Sequence, residues 1–473
     1  MEINTQSPAV PTAIVFAILT FFSQPSFTQV YVEADQLLRV IEDQQRQLEE
    51  QEAQIQRQKA ALDTLRQQVE ELRRAIPEDP SLPPRLKDHH PEISPSELES
   101  AIAEAPTDWP GSIQVTGRGT RIKISGFAEL DANYDTGAIV SPAEFITSAI
   151  VTSDRTAAEG EDGQTNVSVQ VSRLKFETRT PWGGRKISTE MTMDFLRDFS
   201  VAEPILQLRK AYGRVSDIFL GGSLLLGQDW STFTNLNSWP NTLDYEGPNS
   251  LPSLRHPIVR WERVYHPTLT LEVALEAPDE RVFEGAVEVS RWPDAVVAVI
   301  SQTDHINFQG SFILRDLRGS GEPQSTVSDT GWGVNLSGAI DLPGRLAPDF
   351  ISYSVSYGAG YGGILNDFPA DASYDFYENR LEAIPTLAWY IGYQHWWTPC
   401  LYTAATYGLV QQDNFDFQPG FAFRETQYSS INLTWTPTPQ WLFGVEALYG
   451  TREDKDGAYG SVWRTQFTSR ISF

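Results

Sequence analysis

The chain has 473 residues, 36 Lys and Arg against 62 Asp and Glu, and a formal charge of −26. That balance argues against a nucleic-acid partner, whose binding needs a basic patch, and a lone cysteine, Cys400, excludes an internal disulfide. Hydrophobic residues make up 40% and the mean hydropathy is −0.32. Water-soluble proteins and transmembrane β-barrels share this profile, because barrel strands alternate apolar and polar residues.

The first element is an apolar run, Ala13 to Phe22, followed by Ser23, Pro25 and Ser26. It has signal-peptide length and small or turn-forming residues near a cleavage point, so residues 1–28 read as an export signal, although no Lys or Arg precedes the run. Next comes a heptad. Ala34, Ile41, Leu48, Ile55, Leu62, Val69 and Ile76 recur every seventh residue, with Leu37, Gln44, Gln51, Gln58, Leu65 and Leu72 as partners. Glu, Gln and Arg fill the outer positions, as a solvated coiled coil requires. Residues 31–76 are therefore expected to form an α-helical coiled coil, read as three-stranded and periplasmic. Residues 77–120 change to a polar stretch punctuated by Pro77, Pro80, Pro83, Pro84, Pro91, Pro95, Pro106 and Pro110, the composition of an extended linker. His89 and His90 lie in it without metal-ligand partners at suitable spacing.

From 121 to 473 the period becomes two. In 121–134, Ile122, Ile124, Ala128, Leu130 and Tyr134 take one face. Arg121, Lys123, Ser125, Glu129, Asp131 and Asn133 take the other, with Phe127 as the exception. The alternation yields about sixteen strands: 121–134, 167–180, 185–196, 205–214, 219–228, 255–265, 267–275, 294–301, 306–316, 331–341, 347–361, 383–396, 400–411, 423–435, 440–451 and 460–473. The segment 281–291 competes with 294–301. Long polar connections (135–166, 229–254, 276–293, 362–382) alternate with short ones (Pro181–Gly184, around Ser216-Asp217, Gln302–His305, Trp397–Pro399, Pro437–Pro439). An even count with long–short alternation describes an all-β transmembrane barrel of antiparallel strands in a bacterial outer membrane, its apolar face on lipid. In the last strand Phe473, Ile471, Phe467 and Trp463 share the outward face. Ser472, Arg470, Thr468, Gln466 and Arg464 share the inward one. A terminal aromatic such as Phe473 suits recognition by barrel-assembly machinery.

Several segments, in order, resemble one family. They are Ser172-Arg173-Leu174-Lys175-Phe176-Glu177-Thr178-Arg179-Thr180-Pro181, Leu208-Arg209-Lys210-Ala211-Tyr212-Gly213, Leu226-Gly227-Gln228-Asp229-Trp230-Ser231-Thr232-Phe233 and Thr242-Leu243-Asp244-Tyr245-Glu246-Gly247-Pro248, with Arg315-Asp316-Leu317-Arg318, Gly392-Tyr393-Gln394-His395-Trp396-Trp397-Thr398-Pro399 and Leu448-Tyr449-Gly450-Thr451-Arg452-Glu453 further on. Together they are similar to the DcaP-like trimeric porins. The resemblance implies a homotrimer of barrels with an N-terminal periplasmic coiled coil, and passive uptake of small polar solutes with a preference for organic anions such as dicarboxylates.

No nucleophile, base and orienting group converge in the sequence, and no phosphate loop or metal-ligand spacing occurs, so neither an enzyme nor a cofactor is expected. The barrel histidines, His256, His266, His305 and His395, read as interfacial polar residues. Candidate pore-lining bases are Arg173, Lys175, Arg179, Arg209, Arg255 and Arg260, a track that would attract carboxylates. Arg255 and Arg260 differ in parity, so only one faces inward unless Arg255 already belongs to the loop. Asp131, Glu190 and Asp194 are candidate pore-lining acids, expected to form a wall facing the basic one. The loop 229–254, with Asp229, Trp230, Asp244 and Tyr245, is the candidate constriction. The alternative function is an envelope tether, with the barrel as anchor and the coiled coil reaching into the periplasm or toward peptidoglycan.

Overall fold

The computed structural model describes residues 109–115, 119–140, 143–153, 162–196, 205–279, 281–283, 287–321 and 325–473. The signal peptide, the coiled coil and most of the linker expected from the sequence lie outside the described residues.

Sixteen antiparallel strands form the barrel. They are β1 (Thr120–Asp135), β2 (Gln164–Ser168 and Arg173–Trp182), β3 (Arg185–Asp194), β4 (Gln207–Phe219), β5 (Gly222–Trp230), β6 (Arg255–His266), β7 (Leu269–Glu276) and β8 (Asp294–Gln302). The second half is β9 (Ile306–Gly321), β10 (Ser325–Asp341), β11 (Phe350–Ala359), β12 (Pro385–Thr398), β13 (Leu401–Gln412), β14 (Phe423–Thr438), β15 (Trp441–Asp454) and β16 (Tyr459–Ser472). Each pairs with its sequence neighbours, and β16 closes on β1 from Phe127↔Ser472 to Asp135↔Arg464. Closure removes both sheet edges, so every ladder position finds a partner without water.

The strands expected from alternation are all present, and 294–301 is confirmed as a wall strand over its competitor. Among the described residues of the competing stretch, Val282–Phe283 and Val287–Glu288 alone are extended. One turn is corrected. Ser216-Asp217 is not a hairpin turn but an irregularity within β4, whose register slips between Val215 and Phe219. The turn falls at Leu220-Gly221, both with positive φ. The local Ser-Asp chemistry suited a turn, but the ladder to β5 resumes beyond it.

The faces are inverted relative to a water-soluble barrel. On β16, Trp463, Phe467, Ile471 and Phe473 are exposed outside, while Arg464, Gln466 and Thr468 are buried inside. From Trp463 to Phe473 a tilted strand rises roughly 25 Å, the height of an outer-membrane apolar band. Phe127, the exception on β1, points inward because its ring lies under the Arg173 and Arg470 guanidinium groups, at 5.3 and 4.6 Å.

Three loops enter the barrel and give it a core. Phe233, Leu254, Tyr361, Ile364 and Leu365 pack on inward residues of the wall, among them Leu225, Ile258, Val296, Ile313, Ala388 and Val410. Ile139, Phe145 and Ile150 pack on Tyr428, Leu448 and Val462. Each fully buried side chain of this size is worth about 1.5–3 kcal/mol, so these loops are held by packing and not merely tethered at their ends.

Candidate functional site

The 231–254 loop runs across the lumen and fastens to one side of it. His256 and Glu276 pair at 2.6 Å at its base, and Glu276 also accepts from the Ser231 hydroxyl and the Thr232 N–H, both at 2.7 Å. Farther on, Asn235 donates to Asn307 (2.8 Å) and Asn241 to Gln394 (2.7 Å). The Leu243 and Asp244 N–H groups donate to Glu446 (2.8 and 2.7 Å), and Gln466 donates to the Leu243 carbonyl (3.0 Å). Asn249 donates to Thr426 at 2.9 Å. Beyond the base, where His256 and Glu276 belong to β6 and β7, these wall residues lie on β9–β16. The bed there is cut by glycine: a Cβ at Gly444 would come within 2.4 Å of Leu243, and one at Gly408 within 2.5 Å of Asn249. The far wall is thus occupied by the loop.

A cavity of about 320 Å³ remains between the loop and the near wall. Arg173 (β2), Arg209 (β4), Arg255 (start of β6) and Arg470 (β16) line it together with Phe127, Trp230 and Tyr245. The guanidinium of Arg255 sits 4.5 Å from the Trp230 ring, and those of Arg209 and Arg173 lie 5.1 and 5.8 Å from the Tyr245 ring. Arg209 pairs with Asp194 and Arg470 with Glu129. Arg173 and Arg255 form no ion pair with any described residue, and Nε of Arg173 is a buried donor without an acceptor. Four cations converge here, two of them without an ion-pair partner among the described residues.

Arg255 and Arg260 both serve the lumen. Arg260 does so by parity, donating to Asp229 at 2.7 Å. Arg255 is out of phase with it but stands where β6 emerges from the loop, and its guanidinium reaches the Tyr245 hydroxyl at 3.5 Å. Lys175 lies lower, 3.3 Å from Glu177 and 3.6 Å from Glu190. Arg179 is away from the constriction, with Trp109 stacked 4.0 Å from its guanidinium.

The expected acidic wall is corrected. Asp131, Glu190 and Asp194 point inward, but they sit on β1 and β3, the neighbours of the basic strands, and are interleaved with the cations. Glu190 pairs with Lys210, Asp194 with Arg209, and Asp131 accepts from Thr468 at 2.6 Å. Adjacent strands are only about 4.8 Å apart, too close to be opposite sides of a pore. The acids that face the arginines come from loops: Asp244 and Glu246, with Glu144 beside them. Burial, followed by the neighbouring Asp244 and Asp194 carboxylates, pushes Glu144 up to about 7. Burial, then the Glu144 carboxylate, drives Glu246 well above its usual range. Asp244 is a structural acceptor, taking the Phe145 and Gly247 N–H groups at 3.3 and 3.2 Å.

Sequence reasoning missed Lys210, Arg470, Glu144 and Glu246 as site residues. Lys210 and Arg209 are consecutive, yet both face inward because β4 slips register against β3 between Thr192 and Met193. Arg470 carries an inward-facing signature in the sequence, but its place beside Glu129 follows only from barrel closure. Among the described residues no group of three or more His, Cys, Asp or Glu could hold a metal ion.

A family model described as DcaP outer membrane protein matches residues 99–473. No curated protein sequence matches the chain. The crystal structure of the outer membrane channel DcaP of Acinetobacter baumannii superposes with a TM-score of 0.66 at 21% identity, over 77% of this chain and 100% of that one. Salmonella typhi OmpF in complex with daunomycin gives 0.52 at 8% identity (76% and 100%). An anion-selective porin from Comamonas acidovorans gives 0.50 at 10% identity (75% and 100%). Identities this low establish a shared fold.

Proposed function

Since the chain belongs to the DcaP outer membrane protein family and is an outer-membrane β-barrel, we propose that it is a trimeric channel for passive diffusion of small polar solutes, preferring organic anions such as dicarboxylates. The observation that carries this reading is the pair Arg173 and Arg255, guanidinium groups without an ion-pair partner among the described residues, in the aperture left by the 231–254 loop. A carboxylate passing there exchanges water for charge-assisted hydrogen bonds, and a second carboxylate finds Arg209 or Arg470 in the same cavity. Below the aperture the cations are largely paired, as Lys175, Lys210 and Arg260 are. That side solvates the lumen without binding an anion tightly, which a solute needs in order to leave. The anion-selective porin among the structural relatives is consistent with this fold supporting such a preference.

The N-terminal part completes the proposal. Residues 1–28 are the export signal, 31–76 the periplasmic three-stranded coiled coil and 77–120 its linker, supported by the heptad and the proline pattern. The outward aromatic residues of the wall, Trp463 and Phe467 among them, meet lipid. The test is the reversal potential of the detergent-purified protein in a planar bilayer under a KCl gradient. Triplet conductance steps with anion selectivity are expected. Cation selectivity overturns the anion preference, and a folded barrel that does not conduct overturns the channel.

A further inference from the structure

A second cavity, of about 380 Å³, opens among the long loops on the outer side. Its lining includes Arg281, Phe368, Phe421, Phe423 and Arg452. Phe368 also lines the constriction cavity, so it borders both spaces.

The two cations of this outer cavity differ. Arg452 is neutralised by Asp454 at 2.8 Å and donates to the Ser148 carbonyl at 2.5 Å. Arg281 forms no ion pair with any described residue. Its guanidinium lies 4.3 Å from the Phe368 ring centre, and its backbone is fixed from both sides by Asp371. The Arg281 N–H donates to the Asp371 carboxylate at 2.9 Å, and the Asp371 N–H donates to the Arg281 carbonyl at 2.8 Å. The Asp371 carboxylate is itself taken up by Arg315 and the Gly363 N–H. Asp367, the acid in the lining, is used by the Thr147 hydroxyl, the Ser148 N–H and the Thr426 hydroxyl. A cation with a fixed backbone is therefore left with an aromatic face beside it and, among the described lining residues, no free carboxylate.

Phe368 is held with φ of 48°, a backbone conformation that a non-glycine residue keeps only where its surroundings impose it. Its ring thereby lies beside the Arg281 guanidinium and on the border of both cavities. We infer that this outer cavity is a binding subsite for a monocarboxylate carried on an apolar ring, with Arg281 taking the carboxylate and Phe368 and Phe421 the ring. It would load such a solute before it reaches the aperture. The subsite lies outside the constriction; its loading role rests on the channel reading, but its binding does not.

Binding is read without current, by calorimetry or ligand-observed NMR on the detergent-purified full-length protein with benzoate as probe. Benzoate is expected to bind in the millimolar range, with acetate and benzamide at least about tenfold weaker. Arg281→Gln should weaken benzoate about tenfold. Phe368→Asn, which tolerates the left-handed backbone, should weaken it as well. Arg179→Gln, whose guanidinium is stacked on Trp109 away from both cavities, should leave it unchanged. Affinity kept in Arg281→Gln but lost on Arg173→Gln with Arg255→Gln would put the ligand in the constriction and overturn the inference. So would a wild-type protein that does not bind benzoate. A barrel that binds benzoate at Arg281 yet does not conduct would overturn the channel alone.

Discussion

The carboxylate of Glu446 on β15 accepts the backbone N–H of Asp244 at 2.7 Å and that of Leu243 at 2.8 Å. Residue 446 thereby fixes the middle of a loop that begins on the opposite wall. Both donors are buried, and a buried N–H without an acceptor costs about 1–3 kcal/mol. Glu446→Ala should free this span of the loop, giving larger and noisier single-channel conductance in a barrel that still migrates as folded. Glu446→Gln keeps an acceptor oxygen and should stay close to wild type. Unchanged conductance in the alanine variant would show that the loop does not set the aperture.

The unpaired arginines should govern selectivity, whatever their neighbours on the strands do. Arg173→Gln with Arg255→Gln is expected to lower the chloride-to-potassium permeability ratio about threefold. Arg179→Gln, whose guanidinium is stacked on Trp109, should leave the ratio unaltered. Equal effects from the two changes would mean that net lumen charge matters and the location of the cations does not.

The wall was legible because its physics is local. Period-two alternation, turn residues and an even strand count are properties of short stretches, and each barrel strand was found from them. The site was only half legible. Arg173, Arg209, Asp244 and Tyr245 could be picked out by parity and loop composition. Which acids oppose them could not, because Glu144 and Asp244 belong to separate loops that meet only in the folded lumen: the Phe145 N–H donates to Asp244, ninety-nine residues along the chain. Asp131, Glu190 and Asp194 were correctly read as inward, but inward on adjacent strands means side by side. The sites of register slippage, where Arg209 and Lys210 turn to the same side, leave no mark on a pattern of alternating residues.

Glu144 gives the aperture a pH dependence. Its carboxyl is pushed up to about 7 by burial and by the Asp244 and Asp194 carboxylates, against the pull of Arg255 and Arg209. A raised acid is protonated below that value, so lowering the pH removes one negative charge beside the arginines. Anion selectivity should therefore rise as pH falls from about 8 to 6. Glu144→Gln should hold the low-pH selectivity throughout. Reversal potentials measured across this range would contradict the assignment if the wild type stayed flat, or if selectivity moved the other way.

Arg315 on β9 holds the outer loops to the wall, and its loss should be felt in stability before conduction. Its fully buried guanidinium meets Asp294 at 3.0 Å, Asp371 at 2.9 Å, the Gly360 carbonyl at 3.0 Å and the Asp279 carbonyl at 2.7 Å. These partners come from the strand β8, the 360–384 loop and the 277–293 loop. Removing the cation leaves two buried carboxylates facing each other, and breaking such a network from one side costs about 3–5 kcal/mol. Arg315→Met fills the volume without the charge and should lower the temperature at which the folded form is lost on heat-modifiability gels. Adding Asp294→Asn and Asp371→Asn should recover much of the loss, since the charge imbalance is then gone. If Arg315→Met alone unfolds no earlier than wild type, the buried pairs carry no stability. If the triple variant fares no better than the single, the deficit comes from the lost hydrogen bonds to Gly360 and Asp279 and not from the stranded charges.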